Sequence, residues 1–246
     1  MSELLVKLKS RAIRRQGYAR VRGVKLAVDR SVISKPVIRQ LALSRYEVPE
    51  ANALEGILRA DDRVLELGGG IGFMSALAAG RIDLAKGRVV VYEANPLLVP
   101  IIERTHALNG SRAEVHNTVL LPGDASGSTK FYRRFNFPES SLSGDAPGVV
   151  EVIDVPVRSF DEVVRELAPS VLVVDIEGGE TTLFATADLS SVRCAVVEFH
   201  PAITGDKAIS DTIAVMRENG LHLSIALSAA NVLSFVRDEI THQRST

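Results

Sequence analysis

Tryptophan is absent from this chain, aromatic residues make up only 5% of it, and cysteine occurs once. A single cysteine excludes an internal disulfide framework. Set in an apolar, strand-like run, Cys194 is expected to be a buried thiol. No apolar run approaches the length needed to cross a bilayer. The N-terminus carries charge but lacks the apolar stretch and cleavage site of a signal peptide. A soluble, cytoplasmic protein with no membrane span is the expectation. Excess charge is missing too: a net of −1 gives no global reason to expect a nucleic-acid partner. Internal repeats and low-complexity linkers are also lacking.

What is there is a chain of 246 residues, 46% of them hydrophobic, enough for one α/β domain with an N-terminal extension. The charge is unevenly spread. Residues 1–45 hold twelve Lys and Arg against Glu3 and Asp29, a net of +10 that leaves −11 for the rest. Such a basic arm suits an anionic substrate, an acidic partner, a membrane surface or simply solvent along a helix lying on the acidic body. We therefore divide the chain into a basic extension, 1–45, and a main domain, 46–246.

The most informative stretch is Val64-Leu65-Glu66-Leu67-Gly68-Gly69-Gly70-Ile71-Gly72-Phe73. An apolar strand ends on an acid and breaks into glycines before an Ala/Leu-rich helix. Glycine lets the backbone approach a ligand and adopt positive φ. A dinucleotide fingerprint needs G-x-G-x-x-G. Here the spacing is G-x-G-x-G, with Phe73 where the last glycine belongs. Glu66 would also repel a pyrophosphate. S-adenosylmethionine, which carries a sulfonium and an ammonium, suits the turn better.

Before this turn, residues 2–16 have the spacing of an amphipathic helix, which admits a homodimer, and 18–29 read as a small hairpin. Helical spacing recurs over 31–43 despite Pro36, and from Tyr46 to about Leu58. After it, Arg88 to Glu93 is a second strand ending on an acid, followed by a helix over 97–108. Glu93 stands where a Rossmann-like fold grips ribose hydroxyls, with Asn95 of the same motif beside it. A third strand over 113–118 would place Asn117 and Thr118 at the adenine.

Residues 122–150, rich in Gly, Ser and Pro, read as a surface excursion: an edge strand around Lys130–Phe135 plus a mobile loop. Strand 152–157 leads to Ser159-Phe160-Asp161-Glu162, a capping box opening a helix to Leu167. Val171–Val174 is an unbroken β-branched strand, as parallel sheets require. It runs into Asp175-Ile176-Glu177-Gly178-Gly179-Glu180. Strand 192–199 closes at Glu198 and His200, a helix spans about 206–219, and strands 221–227 and 231–237 end the chain. This order predicts a doubly wound sheet with a final antiparallel hairpin. The glycine turn, Glu93, Asp175 and His200 then all fall beyond the carboxyl ends of the strands, where ligands bind.

Tyr46-Glu47, the glycine-turn stretch, Tyr92-Glu93-Ala94-Asn95-Pro96, Ser159-Phe160-Asp161 and Asp175-Ile176-Glu177-Gly178-Gly179-Glu180 together resemble the FkbM family of S-adenosylmethionine-dependent methyltransferases. The resemblance covers most of residues 46–184. It implies a Rossmann-like class I methyltransferase fold with a seven-stranded, mostly parallel sheet, and O-methylation of a hydroxyl on a sugar or secondary metabolite. One departure stands out: family members often carry a lysine just before the Asp of the last motif, where this chain has Val173-Val174.

On these grounds Glu66, Gly68 and Gly70 are expected to hold the methionine end of S-adenosylmethionine, Glu93 and Asn95 the ribose side, and Asn117 and Thr118 the adenine side. Asp175, Glu177 and His200 are the candidate catalytic residues for a small hydroxylated acceptor. Either Asp175 or His200 suits the role of general base. The carboxylates with His200 also make a conceivable divalent-metal set, but we assign no metal. Two other functions compete: a cofactor-binding protein without catalysis, and a nucleotide-dependent oxidoreductase.

Overall fold

The computed structural model describes residues 2–145 and 147–237. The chain opens with helix α1 (Glu3–Gln16), the hairpin β1 (Tyr18–Val21) and β2 (Val24–Ala27), and helices α2 (Lys35–Leu43) and α3 (Val48–Ile57). Strands and helices then alternate: β3 (Arg63–Leu67), α4 (Phe73–Ala79), β4 (Arg88–Tyr92), α5 (Val99–Asn109) and β5 (Glu114–His116). Three strands follow, β6 (Val119–Leu121), β7 (Gly127–Arg134) and β8 (Val149–Ser159). The remainder is α6 (Phe160–Leu167), β9 (Val171–Val174), α7 (Glu180–Leu183), β10 (Cys194–Glu198), α8 (Pro201–Glu218), β11 (His222–Leu223) and β12 (Val232–Val236).

Seven strands form the main sheet in the order β11-β12-β10-β9-β3-β4-β5. The pairs β10–β9, β9–β3, β3–β4 and β4–β5 are parallel, while β12 lies antiparallel to both β10 and β11. This is the expected seven-stranded sheet with a terminal antiparallel hairpin. Alternation along the strands explains why both faces are covered. Val64, Val89, Val91, Val171, Val173 and Cys194 point into one core with α2 to α5, whereas Leu65, Leu67, Val90, Leu172 and Val174 point into another with α6 and α8. Cys194 is buried, as its apolar setting implies.

Several elements differ from the sequence reading. Strand 152–157 does not join the main sheet: as β8 it lies between β6 and β7 in a separate three-stranded sheet over a small cluster of Val119, Phe131, Val155 and Val157. Its register with β7 runs over eight residues of that strand. Phe135 is left 79% exposed, uncovered by the loop. That loop is tied down by buried Arg134, whose guanidinium donates to the carbonyls of Glu139, Ser143 and Pro147. The helix expected from Ser31 starts only at Lys35, because Pro36 fits the first turn alone. The helix expected from Asp206 gains an extra turn from Pro201, set off by the non-helical Gly205. Of 221–227 only His222–Leu223 is strand; a 3-10 turn follows.

The N-terminal extension packs into the same core as α4 and α5. The Ala27 amide donates to Thr105 Oγ1 (2.9 Å), and that hydroxyl donates to the Ile71 carbonyl (2.7 Å). The hairpin is thereby tied through α5 to the glycine turn. Ser159 caps α6 as its sequence implies: its Oγ accepts from the Glu162 amide at 3.1 Å. Ser159→Ala is expected to lower stability by about 1 kcal/mol, measured as a fall in the urea midpoint at constant slope.

Candidate active site

The ends of β3, β4, β9 and β10 meet at a cavity of about 440 Å³. Its floor is the glycine turn. Gly68 has φ +84°, and a Cβ there would lie 1.7 Å from the Asp175 carbonyl oxygen. Only glycine permits that approach. The Asp175 amide in turn donates to the Leu67 carbonyl, and the Gly68 amide donates to the Tyr92 carbonyl, both at 2.9 Å. The turn is thus clamped between its two neighbouring strands. At Gly70, with φ +52°, a Cβ would crowd Tyr46 Oη at 3.2 Å and Glu47 Oε1 at 3.5 Å. The start of α3 therefore lies over the turn as a roof.

Glu93 is buried at the end of β4. It accepts from the Asn95 amide (2.7 Å) and from the Gly70 amide (3.0 Å), bridging the two turns. Burial pushes its carboxyl up to about 7, against the pull of those amides. Asn117 does not face the cavity. Its Nδ2 donates to the carbonyls of Glu93 (2.8 Å) and Ala94 (3.0 Å) and so latches the turn that carries Glu93. Thr118, Asn95, Gly68 and Gly70 do line the cavity.

Glu66 is buried beneath the turn and is not on the cavity wall. Its Oε2 has no hydrogen-bond partner among the described residues. Burial first, then the charges of Glu47 and Glu93, hold this carboxyl well above the ordinary range, and Ser75 opposes the rise.

The opposite wall is acidic. Asp175 and Glu177, from the loop after β9, stand there with Glu198 at the end of β10 and with Glu47 and Glu50 of the roof. Among the described residues lining the cavity, Arg45 is the only lysine or arginine. Asp175 sits well above its usual range through lost hydration and then the charges of Glu198, Glu177, Glu47 and Glu180. Burial likewise raises Glu47 to about 8, and Glu50 and Glu177 to about 7. Glu50 is 7% exposed, and its Oε2 has no hydrogen-bond partner among the described residues.

His200 lies behind this wall, at the start of α8. Its Nδ1 is 2.9 Å from Glu180 Oε1; its Nε2 is 3.2 Å from Glu177 Oε2 and 3.7 Å from Asp175 Oδ1. Burial disfavours the imidazolium, but the hydrogen bond to Glu180 and the charges of Glu177, Glu180 and Glu198 outweigh it and raise the histidine. Glu180, fully buried, also accepts from the amides of Ile176 and Gly178, so it fixes both the loop and the ring. Asp175, Glu198 and His200 present ligand atoms within 4.8 Å of one another, a donor set of the kind that holds a small divalent cation.

The predicted catalytic residues thus come together, and so do Gly68, Gly70, Glu93, Asn95 and Thr118. The sequence reading missed Glu50 and Glu198 as site residues and left Tyr46-Glu47 as a motif without a role. Glu198 stood two residues before His200 at a strand end; the roof carried no signal of its position.

Comparison with known families matches the model of the methyltransferase FkbM domain to residues 67–223, more than half of the chain. This chain belongs to the FkbM methyltransferase family. A search of curated proteins finds no match. Among solved structures, this FkbM chain is similar to a methyltransferase FkbM from Methylobacillus flagellatus, at 15% identity and a TM-score of 0.49, covering 84% of this chain and 56% of that one. The chain thus spans little more than half the length of that protein. A transferase from Pyrococcus horikoshii shares 12% identity, with a TM-score of 0.50 and coverage of 89% and 71%. Fibrillarin from Aeropyrum pernix, in complex with natively bound S-adenosyl-L-methionine, shares 13% identity, with a TM-score of 0.42 and coverage of 76% and 73%. At such identities the likeness is one of fold. Val173 and Val174, immediately before Asp175, are both buried, on opposite faces of β9.

The acidic wall has a thermodynamic consequence. A carboxyl whose folded-state pKa is raised contributes stability that is full below the unfolded value and lost as pH rises through the folded one. Ligand-free protein should therefore lose stability between about pH 5 and 8, through Glu50, Glu93, Glu177 and Glu47. Glu50→Gln should raise Tm at pH 8 by several degrees, about 1–3 kcal/mol, and leave it nearly unchanged at pH 5, as read by calorimetry at both pH values.

Proposed function

We propose that this FkbM methyltransferase uses S-adenosylmethionine to methylate a hydroxyl of a small-molecule acceptor, a sugar or secondary metabolite. The observation that carries the reading is a closely packed glycine turn facing a wall of carboxylates, with Arg45 the only lysine or arginine among the described residues lining the cavity. Such a site suits a cofactor bearing a sulfonium and an ammonium. A dinucleotide would place its pyrophosphate against Glu93, Asp175 and Glu47, which argues against an oxidoreductase.

When bound, S-adenosylmethionine supplies an electrophilic methyl group. Gly68 and Gly70 supply the backbone against which it rests. Glu93 and Asn95 receive the ribose side, and Thr118 lies toward the adenine side, with Asn117 holding the Glu93 turn in place. Glu66 lies beneath the floor, where a cation bound above would draw its raised carboxyl back toward the charged form. The acceptor enters beside Asp175, Glu177 and Glu198, and the acidic wall selects against acceptors that are themselves anionic. Much of the rate comes from aligning hydroxyl and methyl group.

A hydroxyl is a poor nucleophile until its proton leaves. The cluster of Asp175, Glu177 and His200 takes that proton; with Glu177 held near 7, it has an ionised member at neutral pH. Glu180 is a positioning residue, aiming the imidazole. The carboxylates at the acceptor end favour an enzyme over a cofactor binder without catalysis.

Calorimetric titration with S-adenosylhomocysteine, with NAD as control, tests the cofactor. Binding of the first alone is expected, weakened at least about tenfold in Glu93→Ala; binding of NAD alone, or of neither, would overturn the reading. Turnover is then followed with labelled methyl donor over a panel of hydroxylated acceptors. Asp175→Ala should reduce kcat about 100-fold or more while the affinity for S-adenosylhomocysteine holds. In the active protein kcat should fall as pH drops below about 7, where the cluster gains a proton; a flat profile would remove the general-base role.

A further inference from the structure

Helix α1 is amphipathic twice over. Val6, Ser10 and Ile13 are buried against the body. On the opposite side, Leu4, Leu8 and Ala12 recur at four-residue spacing with Leu5 beside them, forming a second apolar stripe on one face. Leu4 is 69% exposed, Leu5 43% and Leu8 52%. Lys7, Arg11 and Arg15 follow the same spacing along one edge of this stripe, and Lys9 lies on the other. Burial in the fold explains the first stripe and leaves the second exposed among the described residues.

The cationic surface continues past the helix. Arg11, Arg14, Arg15 and Arg30 line one shallow depression. Arg30 also borders a second with Leu97, Arg133 and the exposed Phe135. The second depression shares Asn95 and Phe137 with the wall of the active-site cavity. Acidic groups here are few and engaged: Glu3 pairs with Arg39, and Glu151 with Arg133. Asp29 accepts from Ser31, with Arg30 and Arg104 nearby.

We infer that this face docks on an anionic lipid surface, with Leu4, Leu5 and Leu8 entering the acyl boundary and the surrounding lysines and arginines lying among the headgroups. A nucleic acid would use the cations but leave the leucines in water. A protein groove is less well matched to a convex apolar stripe edged by like charges. Leucines flanked by lysine and arginine on an exposed helix are what an interfacial helix presents to a membrane. The remaining body, net −11 over residues 46–246, is repelled by the same surface, so the charge distribution orients the molecule with α1 toward the lipid. The shared wall then sets one edge of the cavity near that surface. The inference does not depend on which reaction the cavity performs.

Cosedimentation of the full chain with vesicles tests it. Phosphatidylcholine vesicles containing phosphatidylglycerol should bind the protein at least about tenfold more tightly than phosphatidylcholine alone, and added salt should release it. The double variants Leu4→Glu/Leu8→Glu and Lys7→Glu/Arg11→Glu should each lower binding by about tenfold or more. Both should keep the wild-type circular dichroism, Tm and affinity for S-adenosylhomocysteine, which separates lost docking from lost folding. Equal binding to both vesicles, binding to neither, or variants that bind as the wild type would overturn the proposal. So would a wild-type dimer in solution that Leu4→Glu/Leu8→Glu turns into monomer, since the stripe would then join two copies of the chain.

Discussion

The backbone contact between Gly68 and Asp175 is the constraint on which the rest of the site depends. Two adjacent parallel strands end there so closely that no side chain fits between them. The close approach sets the first carboxylate of the acidic loop beside the glycine turn. Everything beyond it is arranged by short reaches: Glu93 spans from the next strand to the Gly70 amide, and α3 roofs the turn through Tyr46 and Glu47. A cofactor site and an acceptor site thereby share one small cavity.

The acidic wall costs folding free energy, because carboxylates crowded away from water must either take up protons or find a positive partner. Lysine and arginine almost never supply that partner here. His200 does so in part, and buried Glu180 holds the imidazole and the loop amides. Stability traded for charge in this way is characteristic of sites that act on ligands rather than of cores. The orphaned oxygens of Glu50, Glu66 and Asp175 fit the same account.

The extension of residues 1–45 looks in sequence like an appendage, yet its inner apolar residues belong to the main core and its hairpin is tied to α5. As a consequence its cations are displayed on the folded body rather than on a free arm.

Local patterns determined much of this protein. The apolar runs that end on acids, the glycine spacing and the Ser159 cap each encode their own geometry within a few residues, because φ preferences, side-chain alternation and capping bonds act at short range. From them a doubly wound sheet with a terminal antiparallel hairpin could be inferred, as could the convergence of the glycine turn, Glu93 and Asp175 at the strand ends. Only the tertiary structure decided that 149–159 pairs with 127–134 rather than with the main sheet, since an alternating strand carries no mark of its partner. It also decided that Asn117 latches a turn instead of facing the cavity, that Glu66 lies under the floor, and that Glu50 and Glu198, 148 residues apart, meet in one wall. Those placements depend on how separate elements pack, and hydration, charge and packing across such distances leave no periodic signature in the chain.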